Sequence, residues 1–165
     1  MKGENRSDDP HSGGHAEFRL EWGMPAAPDV VLKWSLPFRD EGDPRWHAYG
    51  LYAYLRARHP EVLYIGKAVG RTILQRLKDP DKNVLFNDLA RERGIRSIRV
   101  IVAAVEANHN ITRHLILDIE SLLIYEIIPW GNIQSRQGRG ISRPGLVVHC
   151  EGKAWPLYRR TFRDS

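Results

Sequence analysis

Apolar and polar positions alternate with period two through Glu17–Trp22 and again through Val30–Leu36, on either side of a proline-rich turn. This pattern predicts an N-terminal β-hairpin packed on a main sheet. The charged stretch from Arg39 to Pro44, which holds Gly42 and Pro44, breaks the pattern as a linker. Tyr49–Leu55 and Val62–Lys67 predict two strands, closed by the turn Arg56–Pro60. A short helix is expected over Arg71–Lys78 and a second over Asn83–Arg93, the latter opened by an asparagine cap and closed by Gly94. Arg96–Val105 reads as a third central strand. Asn110–Ile128 is the longest helix, stopped by Pro129 and Gly131. After a loop rich in Gly and Arg, Gly145–Cys150 and Ala154–Arg159 predict a closing hairpin. Residues 1–15 are polar and almost free of apolar side chains, so they read as a flexible tail. The chain thus divides into a tail over 1–15, a β extension over 16–46, a core over 47–135, and a basic loop with a C-terminal β extension over 136–165.

Setting Tyr52 opposite Tyr64 places Gly50 opposite Gly66. Leu51, Ala53 and Leu55 then share a core face with Leu63 and Ile65, and the tyrosines and glycines share the other face. Glycine weakens a strand, so two of them beside paired tyrosines suggest close approach of another backbone or of a phosphate. On the long helix, Ile116, Ile119, Leu123 and Ile127 make an apolar arc with Glu120 in its middle. An uncompensated buried carboxylate costs several kcal/mol, so Glu120 must meet an arginine, be hydrogen-bonded, reach water at a cleft, or bind a cation. Asp118 and Glu126 point away from that arc and read as solvated charges. In the short helix Ile73, Leu74 and Leu77 define the buried side, with Arg76 on its flank and Arg71 on the far side. A guanidinium at a cleft edge offers a planar fork for two phosphate oxygens, which favours Arg76 and keeps Arg71 as second choice.

A chain of 165 residues is long enough for one core without a staple. Its single cysteine, Cys150, excludes an internal disulfide and a CxxC zinc site. With no charged-then-apolar leader and no membrane-length apolar run, a cytoplasmic, intracellular protein is expected. A net charge of +5 and a pI near 9.6 favour a polyanionic partner.

Gly50-Leu51-Tyr52, then eleven residues, then Tyr64-Ile65-Gly66-Lys67, followed by Arg76, Glu120 and Asn132, resemble the GIY-YIG nuclease superfamily. The resemblance covers about residues 48–134 and rests on the combination. It implies an α+β fold, a small three-stranded antiparallel sheet flanked by helices, which agrees with the element order read above, the two hairpins being additions. It also implies metal-dependent hydrolysis of a nucleic-acid phosphodiester, leaving a 5′-phosphate and a 3′-hydroxyl. By similarity Glu120 would hold one divalent cation, Mg2+ or Mn2+. Tyr52 would act as general base or orient the attacking water, assisted by Tyr64. Its phenol, ordinarily near pKa 10, would need a neighbouring cation, either Lys67 or Arg76. Strict alternation turns Lys67 to the core face, so its role requires the strand to end or bulge at Gly66. Arg76 would clamp the phosphate, and Asn132 would hold the site together by hydrogen bonds. Three departures stand out: Leu51 replaces the commoner isoleucine, Arg76 lies about two residues further from Gly66 than in many members, and no histidine follows it in its helix.

Arg136, Arg139 and Arg143, with Gly138 and Gly140 between them, are candidates to follow a nucleic-acid backbone, most readily DNA. No separate reader of base edges is evident, which favours structure-selective or weakly specific cutting. Trp155 and Tyr158 are expected to pack rather than stack on bases. A catalytically silent nucleic-acid-binding module on the same fold is the alternative; its mark would be loss of Tyr52, Arg76 or Glu120, and all three are present.

Overall fold

A computed structural model of the chain describes residues 26–37, 50–132 and 143–165. In order, the elements are β1 (Asp29–Ser35), β2 (Gly50–Arg56), β3 (Val62–Ala68), α1 (Ile73–Leu77), α2 (Asp81–Arg93), β4 (Ile98–Ala107), α3 (Arg113–Ile127), β5 (Val147–Glu151) and β6 (Thr161–Arg163). The strands form one curled, mixed, six-stranded sheet in the order β3-β2-β4-β1-β5-β6. The expected three-stranded sheet with separate terminal hairpins is therefore incorrect. Strand β4 explains why: its first half pairs with β2, from Ile98 to Ala103, and its second half pairs on the other side with β1, from Val102 to Ala107. A sheet ending at β4 would leave that second half as an unpaired edge, which β1 covers. In turn β1 pairs in parallel with β5, Val30 opposite Val148, and β5 pairs with β6.

The second arm of the expected N-terminal hairpin is β1; the first arm, Glu17–Trp22, and the tail lie outside the described residues. In the C-terminal hairpin the second arm is Thr161–Arg163, because Ala154–Arg159 is loop. Trp155 turns inward there, its ring 5.2 Å from that of Trp34, whereas Tyr158 is fully exposed and does not pack.

The central hairpin is offset by two residues from the expected register: Tyr52 faces Gly66, Tyr54 faces Tyr64, and Gly50 faces Ala68. A two-residue offset preserves which face each side chain takes. An irregularity at Tyr54/Leu55 then hands the core face to Val62 and sends Leu63 to a smaller cluster with Leu89 and Ile95.

Helix α1 opens with a reciprocal capping box, Gln75 N donating to Thr72 Oγ1 and Thr72 N to Gln75 Oε1. Helix α2 begins at Asp81 after Pro80, so Asn83 is an interior residue rather than the cap; Gly94, at φ 65, ends it. Helix α3 begins at Arg113, three residues later than expected, where Thr112 Oγ1 accepts from Leu115 N. Leu115, Ile119, Leu122 and Leu123 of α3 pack with Leu51, Ala53, Leu55 and Ile65 on one face of the sheet. Tyr52, Tyr54 and Val102 pack with Ile73, Leu77, Leu85 and Phe86 on the other. Because β3 is an edge strand, both layers open onto its outer side.

Candidate active site

That outer side carries a cleft of about 550 Å3 lined by Tyr64, Lys67, Arg71, Arg76, Glu120 and Asn132, with Arg113 and Ser121. The expectation of one core face and one site face is too simple. Tyr64 comes from the α1/α2 side and Glu120 from the α3 side, so the cleft wraps around the edge of the sheet.

Glu120 is nearly buried, and Lys67 Nζ lies 2.5 Å from its Oε2. Lys67 meets it by remaining on the core face of a strand that continues to Ala68, so no bulge at Gly66 is needed. Burial pushes the Glu120 carboxyl above its ordinary range, opposed by the hydrogen bond and charge of Lys67, then by Arg76 and Lys82. Arg71 and Arg76 both grip Asp79. Asp79 is held below the ordinary carboxylate range, with the Arg71 hydrogen bond as the largest cause. The two arginines that compete for one role in the sequence thus stand side by side, fixed by a shared carboxylate.

Asn132 is buried and reads the edge of β3 as a neighbouring strand would: its Oδ1 accepts from Ile65 N and its Nδ2 donates to Ile65 O, both at 2.8 Å. Gly131 makes this possible. A Cβ there would sit 2.8 Å from the Leu63 carbonyl oxygen, so only glycine lets the chain after α3 lie flush on the strand.

Tyr52 does not line the cleft. It is fully buried behind Tyr64, ring centroids 6.1 Å apart, and its hydroxyl has no hydrogen-bond partner among the described residues. Burial holds its phenol well above the ordinary range, reinforced by Tyr64, opposed by Arg76 and reinforced again by Tyr54. Gly66 accommodates this ring: a Cβ there would fall 2.4 Å from Tyr52 Cζ. The close approach inferred at that glycine is made by the tyrosine itself, whereas at Gly50 it is made by backbone, the Ala103 carbonyl oxygen lying 2.9 Å from a would-be Cβ.

Arg136 and Arg139 lie outside the described residues. Arg143 is away from the cleft, its Nε 3.6 Å from Asp118 Oδ2. Asp118 is therefore buried rather than solvated, and Glu126 pairs with Arg159 at 3.0 Å.

The sequence reading missed Lys82, Asp79 and Arg113. Arg113 had a signal: Arg113, Leu117, Glu120, Ser121 and Ile124 recur at helical spacing and form the stripe of α3 that lines the cleft. Lys82 is almost fully buried between the rings of Tyr52 and Tyr64, and only its place in a helix's first turn, where a cation opposes the dipole, hints at it.

The donor set fits one hydrated hard cation. Lys67 engages Oε2 of Glu120, and Oε1 has no partner among the described residues. No group of three or more His, Cys, Asp or Glu gathers among those residues, so any cation would rest on this one carboxylate with substrate oxygens and water. None of the described helices is long and apolar enough to cross a membrane. Comparison of the chain with protein-family models, with curated proteins and with solved structures found no match.

Proposed function

We propose that the protein is a metal-dependent phosphodiester hydrolase of the GIY-YIG nuclease type, acting on nucleic acid and on DNA in the first instance. The observation that carries this reading is the cleft: four cations, Lys67, Arg71, Arg76 and Arg113, surround a single nearly buried carboxylate beside a tyrosine. A surplus of positive charge around one anionic anchor suits a phosphate bridged to that anchor by a divalent cation.

Glu120 and Asn132 would shape the floor, the carboxylate holding Mg2+ and the amide fixing the strand beneath Tyr64 and Lys67. When bound, the cation would polarise the scissile phosphate and stabilise the leaving oxygen. Arg76 and Arg71 present guanidinium forks already oriented by Asp79, and these would clamp phosphate oxygens and offset charge developing on them. Tyr64 is the phenol on the cleft wall and would orient the attacking water and take its proton. Tyr52, closed off behind it, would act through Tyr64 rather than on water. The ammonium of Lys67 would leave Glu120 Oε2 or share it as substrate enters.

The test is a panel of supercoiled plasmid, branched DNA and RNA, each incubated with Mg2+, Mn2+ or EDTA. Cleavage is expected with metal and lost with EDTA, in Glu120→Ala and in Arg76→Ala. Cutting that survives EDTA, or that is undiminished in Glu120→Ala, overturns the mechanism. The 2.5 Å Lys67–Glu120 contact favours a second reading, a silent nucleic-acid-binding module in which the lysine occupies the carboxylate permanently. Salt-sensitive binding without cutting under every metal condition would favour that module.

A further inference from the structure

Lys82 has its side chain 4% exposed and projects from the first turn of α2. Both circumstances work against it. Withdrawing an ammonium from water costs several kcal/mol unless it is well paired, and a helix N-terminus disfavours positive charge. Its carboxylate neighbour, Asp81, is 3.6 Å away and more than half exposed, a weak partner for a buried cation. Its closest polar contact is instead a phenol: Nζ donates to Tyr64 Oη at 3.3 Å. The same nitrogen lies 4.5 Å from the centroid of the Tyr64 ring and 5.4 Å from that of Tyr52. A lysine kept dry at this cost and aimed at a hydroxyl on the cleft wall has a use that packing does not supply.

We propose that Lys82 is a positioning residue for Tyr64, holding its phenol in place and favouring its ionised form at the moment it takes a proton from water. The inference rests on the hydrolase reading for its purpose, but not for its physics. A cation hydrogen-bonded to a phenol oxygen stabilises the phenolate, and a dry setting strengthens the effect. The other groups around Tyr64 are known. Tyr52 and Tyr54 from β2 add no positive charge. Arg76 from α1 interacts with Tyr64 electrostatically but is engaged by Asp79. Asp81 from α2 works in the opposite sense to Lys82. Within the cleft, Lys67 is engaged by Glu120, and Arg71 by Asp79. Arg113 from α3 lines the same cleft. Lys82 is the cation in direct hydrogen-bond contact with the Tyr64 oxygen.

The experiment is an ultraviolet titration of tyrosine ionisation in the full chain, free of metal and substrate. Tyr64→Phe identifies the Tyr64 step by deleting it. In Lys82→Met that step should move up by about one unit or more, and Lys82→Arg should restore most of the shift. Asp81→Asn, at an exposed position that leaves the core intact, should move it down. A Tyr64 step unmoved in folded Lys82→Met overturns the proposal. Should Lys82→Met fail to fold, a Tyr64 step that stays put or rises in Asp81→Asn overturns it instead. In cleavage assays the alkaline-going limb of the kcat profile should shift in the same directions with KM little changed. Because the titration needs no substrate, absence of nuclease activity would sink the hydrolase reading and leave this measurement standing.

Discussion

Replacing Tyr52 by Phe removes one oxygen atom and separates stability from function at this site. The hydroxyl is closed from solvent and has no hydrogen-bond partner among the described residues, so folding strips it of water without return. Burying such a group costs about 1–3 kcal/mol, and the phenyl ring keeps the packing against Tyr54 and Tyr64. The variant should therefore be more stable by about 1–3 kcal/mol. In a domain of this size that corresponds to a rise in Tm of about 2–12 °C. Urea denaturation should show a higher midpoint with an unchanged slope. Cleavage should fall less than about tenfold in Tyr52→Phe, whereas Tyr64→Phe, which removes the phenol on the cleft wall, should lose about 100- to 10,000-fold. A Tyr52→Phe protein destabilised by a kcal/mol or more would mean that the hydroxyl is satisfied in the folded state. The placement of Tyr52 behind Tyr64 would then be wrong.

Gly66→Ala should destabilise by about 1–3 kcal/mol, since its Cβ meets the Tyr52 ring; combining it with Tyr52→Ala should recover part of the loss, and strict additivity in a double-mutant cycle would refute the contact. Asn132→Ala leaves both Ile65 backbone groups without their partner and should cost about 1–3 kcal/mol with loss of cleavage, read by denaturation and by the plasmid assay. Glu120 has a folded-state pKa above its ordinary 4.5, so its protonated form favours folding. Its contribution is fully present below that ordinary value and is lost as pH rises through the raised one. In metal-free buffer, stability should decline across that window in the wild type and decline less in Glu120→Gln; identical pH profiles would count against the buried carboxylate.

Local pattern made part of this site legible. Glu120 stood out because a carboxylate inside an apolar arc demands compensation, and Asn132 follows directly on the proline and glycine that stop α3. The register of the central hairpin was misplaced by two because alternation has period two and cannot distinguish offsets that keep every face. What decides the offset is the fit of the Tyr52 ring over Gly66, a contact between strands. Lys82 and Asp79 were missed for a related reason: each is an ordinary charged residue near a helix end, and its meaning comes from side chains brought up from β2, β3 and α1. The extent of the sheet was missed because β1–β4 and β1–β5 pairings join segments far apart in the chain, where no local turn announces the partner.

The parallel pairing of β1 with β5 also orders events during synthesis. Every side chain lining the cleft has been made once Asn132 is added, yet β1 then still presents the edge that Val147–Glu151 will later occupy. An extended edge of that kind is a template for another chain. Its natural partner arrives only with the final stretch of the polypeptide, after closure of a long loop. A ribosome stalled before β5 would release a molecule that carries the full set of cleft residues and an open seam, prone to find its missing strand in a neighbour. The closing strands act as a seal on a working part that is already built.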